Sequence, residues 1–289
     1  MTKNPCLLAL HAHPDDESSK GAGTMAKYAA DGVRVVLVCA TDGAEGDILN
    51  PRMDRPGIKE RMVELRRAEL ETACDILGVE RIYHLGYRDS GMPESPANSH
   101  ENAFWNADPE EAVGKIVEII RAERPDVMLC YDESRGYEHP DHIRVHEWGT
   151  RAFHEAGDPD SFPDKGAPWK PSKLYYFATF SRRRMTLLHE AAVAKEIQSP
   201  YAGWLEHWDS IGFEEPNITT QIDVTDSIEL SSKALLAHAT QIDPDGFWFA
   251  IPDDVVKRVY PWEDYTLIDS RVPTELPEDD LFAGIALGQ

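Results

Sequence analysis

Residues Cys6 to Glu17 read CLLALHAHPDDE, an apolar run that ends abruptly in imidazoles and carboxylates. The part from Leu7 to Ala12 suits a strand buried on both faces, as strands of a parallel sheet are. Working outward, three more runs of this kind follow: Gly32 to Thr41 (GVRVVLVCAT), Arg81 to Gly86, and Asp126 to Tyr131 (DVMLCY). Helical patterns lie between them. Met25 to Ala30 stops at Asp31-Gly32, and Lys59 to Leu77 stops at Gly78, both good C-terminal signals. Pro109 to Arg124 follows Asp108 as N-cap, with Pro at the first helical position. Asp141 to Ala156 stops at Gly157. Strands alternating with helices predict an α/β fold with a doubly wound, mostly parallel sheet of Rossmann-like form.

The stretch from Gly157 to Ser172 is rich in Pro, Asp and Gly and reads as a boundary loop. It divides a catalytic α/β domain, 1–172, from a smaller C-terminal α/β portion, 173–289, expected to pack on it. In that portion Lys173 to Phe180 and Thr219 to Val224 read as strands, with a helix running through Leu236 to Gln241.

Acidic side chains outnumber basic ones, 52 to 29, for a net charge of −23. Such a chain has no electrostatic basis for gripping nucleic acid or an anionic membrane. No apolar run approaches the roughly 20 residues that span a bilayer. The four cysteines (Cys6, Cys39, Cys74, Cys130) are far apart and read as reduced, buried thiols in a cytoplasmic protein.

In open α/β sheets ligands bind beyond the carboxyl ends of the strands. There the first strand offers His11, His13, Asp15, Asp16 and Glu17. His and Asp are zinc ligands, and a spare carboxylate can act as a base. The same aspartates also suit an N-cap. A glycine pattern at Gly21 to Ala26 mimics a dinucleotide fingerprint, but His13 to Lys20 intervenes between strand and glycines, so no pyrophosphate would meet the helix N-terminus. A second cluster follows the fourth strand: Tyr137, His139 and His142, the last in the first turn of a helix whose apolar stripe (Gly149, Phe153) faces the sheet. One His and one Asp from the first loop with His142 would make three ligands and leave a fourth position open, as at a catalytic zinc. His146 lies a turn deeper, and Ile143 stands where an HExxH glutamate would be, so His146 reads as core or support.

AHPDDE (Ala12 to Glu17) together with GYEHPDH (Gly136 to His142) resembles the LmbE-like zinc deacetylase superfamily. Further stretches extend the resemblance along the chain: Gly46 to Asp54, Asp89 to Pro93, His139 to His146, His238 to Pro244 and Asp280 to Ile285. They look like the branch of that superfamily that acts on mycothiol S-conjugates. The resemblance implies one zinc ion per chain, held by His13, Asp16 and His142; a His–Asp–His set also suits ferrous iron. It implies Asp15 as general base, with Tyr137 and His139 stabilising the oxyanion or protonating the leaving amine. For substrate it implies Lys20, Asp47, Arg66 and Asp89. Arg66 also falls on the stripe Val63, Leu70, Ala73 and Leu77, where an unpaired charge is costly. The implied partner is a small thiol-conjugate, its amide cleaved to an N-acetylcysteine S-conjugate and glucosaminyl-inositol in electrophile detoxification. The alternatives are deacetylation of N-acetylglucosaminyl-inositol and a biosynthetic thiol-conjugate amidase. The sequence leaves the oligomeric state open.

Overall fold

The protein is described here by a computed structural model covering residues 4–133, 137–211 and 213–286. Gly136 of the second histidine motif lies outside them. In chain order the elements are β1 (Cys6–His11), α1 (Asp16–Ser19), α2 (Ala22–Ala30), β2 (Arg34–Thr41), α3 (Met62–Leu77), β3 (Arg81–Tyr87), α4 (Pro109–Glu123), β4 (Val127–Cys130) and α5 (Pro140–Glu155). Then come β5 (Lys173–Phe177), α6 (Arg182–Ala194), α7 (Ala202–Ile211), β6 (Thr220–Asp223), α8 (Ile228–Ala237), α9 (Asp253–Val259) and β7 (Trp262–Ser270).

The strands form one sheet in the order β3-β2-β1-β4-β5-β7-β6. The pairings among β3, β2, β1, β4 and β5 are all parallel. β7 runs antiparallel to both β5 and β6. The chain winds outward from β1 through β2 to β3, then returns to place β4 on the other side of β1. That reversal is the switch point at which such sheets open a crevice. Residues after 172 prolong this same sheet edge to edge.

The central strands earn their place by composition. Every residue of β1 and β4 is buried, and β2 is buried from Val35 onward. α2, α3 and α8 pack together, as do α4 and α5. α5 approaches the sheet closely because Gly149 has no side chain: a Cβ there would lie 2.6 Å from Cys130 Sγ and 2.7 Å from a Leu10 methyl. That close seat brings the first turn of α5 to the ends of β1 and β4.

β7 carries no sequence signal of a buried strand, because Glu263, Asp264 and Asp269 interrupt its apolar residues; it forms by pairing with β5 and β6. The expected helix through Gln241 ends at Ala237, with His238 as its C-cap. The four cysteines are buried and none forms a disulfide. Among the described residues, no helix is long and apolar enough to cross a membrane.

Candidate metal centre and active-site cavity

The loop after β1 and the first turn of α5 converge. The Nδ1 atom of His13 lies 3.3 Å from Asp16 Oδ2, and His142 Nε2 lies 3.4 Å from the same oxygen. His13, Asp16 and His142 are all buried, with their candidate ligand atoms within 4.8 Å of one another. Asp16 is held from behind by its Oδ2, which accepts the His13 amide at 2.9 Å.

The other nitrogen of His13, Nε2, faces Asp141 Oδ2 at 3.1 Å and Asp89 Oδ1 at 3.6 Å. A carboxylate behind a ligating histidine fixes its ring and tautomer. Asp141 is itself fixed by the Ser90 amide, at 2.9 Å, and by the Ser90 hydroxyl. His13, Asp89, His139 and Asp141 make a second group of potential ligands. A cavity of about 580 Å³ has Asp16 and His142 in its lining and none of Asp89, His139 or Asp141.

The electrostatics fit a cation. Burial opposes charge on His13, yet Asp89, Asp141 and Asp16 outweigh it and hold the ring well above its ordinary pKa. Burial likewise opposes ionised Asp16, but Lys20, His142 and His13 keep its carboxyl well below the usual range. Burial, only partly offset by Asp16, pushes His142 down to about 4, leaving it neutral as a ligand must be. Three carboxylates crowd one imidazole here, so the cluster is short of positive charge that a divalent ion would supply.

Asp15 sits at the cavity wall in a backbone conformation, φ 120° and ψ −24°, that residues with a side chain rarely adopt. Its Oδ2 takes a 2.9 Å hydrogen bond from Arg66. Burial raises the Asp15 pKa, and Arg66 opposes the rise. Arg66 also donates to the carbonyls of Gly43, at 2.9 Å, and Pro14. Gly43 admits the guanidinium because a Cβ there would lie 2.5 Å from it. On α3, Arg66, Leu70, Ala73 and Leu77 are buried as the stripe predicts, whereas Val63 is 44% exposed.

His139 caps α5: its Nδ1 accepts the Asp141 amide at 3.2 Å. Nε2 is therefore the nitrogen that carries the proton in the neutral ring. Burial, with His13 beside it, pushes His139 down to about 3. Tyr137 is 48% exposed and lies over His142, their ring centres 5.0 Å apart. Lys20 reaches back to Asp16 Oδ1 at 2.6 Å and also lines the cavity. Asp89 is buried, accepting the amides of Gly91 at 2.8 Å and Glu45 at 3.3 Å. Asp47 is exposed. His146 is turned away, its Nδ1 3.0 Å from the Tyr131 carbonyl oxygen.

Sequence reasoning missed two parts of this site. Asp141 looked like the start of a helix, though its place beside His142 was a usable signal. The aromatic wall was missed altogether. Phe177, Phe180, Trp204, Trp208, Phe213 and Trp248 line the same cavity as Asp15 and Asp16. Trp204 and Trp208, four residues apart on α7, were the available clue.

Comparison with known proteins agrees with this geometry. Residues 8–153 match the family model described as PIG-L: GlcNAc-PI de-N-acetylase. The chain is 46% identical over 290 residues, 99% of both chains, to a mycothiol S-conjugate amidase of Streptomyces coelicolor. It is 39% identical, again over 99% of both chains, to a 1D-myo-inositol 2-acetamido-2-deoxy-alpha-D-glucopyranoside deacetylase of Geodermatophilus obscurus. In fold it resembles the N,N'-diacetylchitobiose deacetylase of Pyrococcus horikoshii, with a TM-score of 0.63 and 22% identity, covering 91% of this chain and 83% of that one. With its doubly wound sheet and its His–Asp–His cluster at the switch point, the chain belongs to the PIG-L (LmbE-like) de-N-acetylase family and is a hydrolase of amide bonds.

Proposed function

We propose that this protein is a zinc-dependent amidase of mycothiol S-conjugates, releasing an N-acetylcysteine S-conjugate and glucosaminyl-inositol in the detoxification of electrophiles in the cytoplasm. The observation that carries this choice is the cavity. An acetyl group needs only a small acyl pocket, whereas about 580 Å³ with an aromatic wall beside the His–Asp–His cluster is of the size that takes a large organic substituent. The 46% identity to a named amidase, against 39% to a named deacetylase, points the same way.

His13 Nδ1, Asp16 and His142 Nε2 would hold the metal, with Asp141 orienting His13. When bound there, zinc supplies Lewis acidity that polarises water and the amide carbonyl at neutral pH. Asp15 takes the proton of the attacking water; its raised pKa suits a base better than an ordinary aspartate. The neutral Nε2–H of His139 donates to the developing oxyanion, with Tyr137 as a second donor at the exposed side. Lys20 neutralises Asp16 and presents the rest of its charge to the cavity. Asp47, exposed at the surface, is assigned to sugar hydroxyls, and Arg66 and Asp89, which do not line the cavity, support Asp15 and His13.

The test is a side-by-side assay of a bulky mycothiol S-conjugate and the N-acetyl sugar, with elemental analysis of the purified chain. We expect one divalent metal per chain and a kcat/KM that favours the conjugate at least about tenfold, or about 1.4 kcal/mol. Equal or better turnover of the N-acetyl sugar would reassign the protein to deacetylation.

A further inference from the structure

Beneath the cavity lies a pair that neither metal holding nor substrate contact explains. Glu17 and His238 are wholly buried, with His238 Nε2 2.6 Å from Glu17 Oε1. Neither belongs to the metal-holding groups or to the cavity lining. Burying such a pair is seldom a gain in stability, because desolvation consumes the attraction, and apolar side chains of similar volume often serve as well. Its presence calls for another reason.

The reason is in the second oxygen. Glu17 Oε2 accepts the backbone N–H of Asp15 at 3.0 Å. Asp15 is the residue held at φ 120°, and a strained conformation persists only where its surroundings over-determine it. Besides the Ser18 and Ser19 amides on its carbonyl, two side chains do so here: Glu17 accepts the amide, and Arg66 donates to the carboxylate at 2.9 Å. Both trace to one frame. Arg66 stands on α3, and His238 caps α8, which packs on α3. Glu69 of α3 ties the two further by accepting the Thr240 amide at 2.8 Å and the Thr240 hydroxyl at 2.7 Å. The C-terminal stretch His238 to Pro244 is thereby linked to a loop more than two hundred residues earlier.

We propose that Glu17, locked by His238, is a positioning residue for Asp15: it fixes the backbone of the proton acceptor so that the carboxylate meets the cavity in one orientation. The proposal rests on the reading of Asp15 as general base. Glu17 touches neither substrate nor metal, and its effect passes through Asp15 alone.

The experiment is a double-mutant cycle on the metal-loaded enzyme. Glu17→Met keeps the volume but removes the acceptor. A misplacement of about 1 Å can cost about 10²-fold, so kcat should fall about tenfold to a hundredfold, with KM and metal content unchanged. Glu17→Gln can still accept the Asp15 amide and should stay within about threefold of the parent. In an Asp15→Ala background, Glu17→Met should cost less than about twofold, because residues acting as a unit are not additive. His238→Gln, acting from the far end, should follow the same pattern if Glu17→Met does not fold. An equal loss in both backgrounds, no loss at all, loss of metal along with activity, or failure of both Glu17→Met and His238→Gln to fold would each overturn the proposal. Full activity in Asp15→Ala alone would instead overturn the general-base reading.

Discussion

The two walls of the cavity are built on opposite principles. The wall formed by the ends of β1 and β4 is a buried polar lattice in which nearly every group is oriented by a second one: Asp16 by the His13 amide, His13 by Asp141, Asp141 by Ser90. The wall formed by α7 and its neighbours is aromatic and partly open, with Trp204 and Trp248 each 38% exposed. Its rings pack on one another, Phe180 tilted against Trp204 at 5.2 Å and Trp208 stacked on Phe213 at 4.3 Å. A lattice of mutually oriented charges tolerates little displacement, because each misplaced group leaves another unsatisfied. An aromatic wall tolerates shape change at modest cost. The polar wall comes from the first half of the chain and the aromatic wall from the second.

The sharpest way to break this division is at the polar wall. Asp15→Ala should lose about 10²–10⁴ in kcat while keeping its metal. Metal analysis alongside steady-state kinetics checks this, and joint loss of metal and activity would make Asp15 a ligand. His139→Ala should lose about 10²–10³ in kcat, as removal of an oxyanion donor does. Its pH profile is the more telling readout. With its pKa pushed down to about 3, His139 loses its charge as pH rises through the acid range and is already neutral at pH 7. The alkaline limb of the rate profile should therefore stay where it is in His139→Ala; a shifted limb would make His139 the general acid.

The aromatic wall should answer differently. Trp204→Ala should lower kcat/KM for bulky S-conjugates by about tenfold to a hundredfold, mostly through KM, and leave small-acyl substrates nearly unchanged. Uniform loss across substrates would place Trp204 in the folding of the wall and not in selection. The last test, of similar size but read in metal affinity, strikes the lattice behind His13. Asp141→Asn should weaken metal affinity about 10–100-fold, measured by competition with a chelator, with substrate selectivity unaltered.

Much of the polar wall was legible in the chain. Imidazoles and carboxylates at the end of an apolar run announce themselves, and the first turn of α5 follows from Pro140 and the stripe through Gly149 and Phe153. Arg66 was legible as a buried charge in need of a partner. Its partner was not, because Asp15 meets it only across the gap between the β1 loop and α3. Lys20 was implied only as a substrate contact, but one helical turn also brings it back onto Asp16. The aromatic wall was hard to read for a different reason: Trp204 and Trp208 mark one face of α7, but local pattern does not say what that face meets.

The sequence by itself determined the alternation of buried strands and helices, hence the doubly wound sheet, and it put imidazoles and carboxylates at the strand ends, because both properties are local. Only the tertiary structure decided which nitrogen of His13 faces the metal-holding set, which carboxylate Arg66 holds, that β7 joins the sheet despite its acids, and that His238 stands behind Glu17. Those choices depend on contacts between residues far apart in the chain, where desolvation and hydrogen-bond geometry, not local pattern, set the outcome.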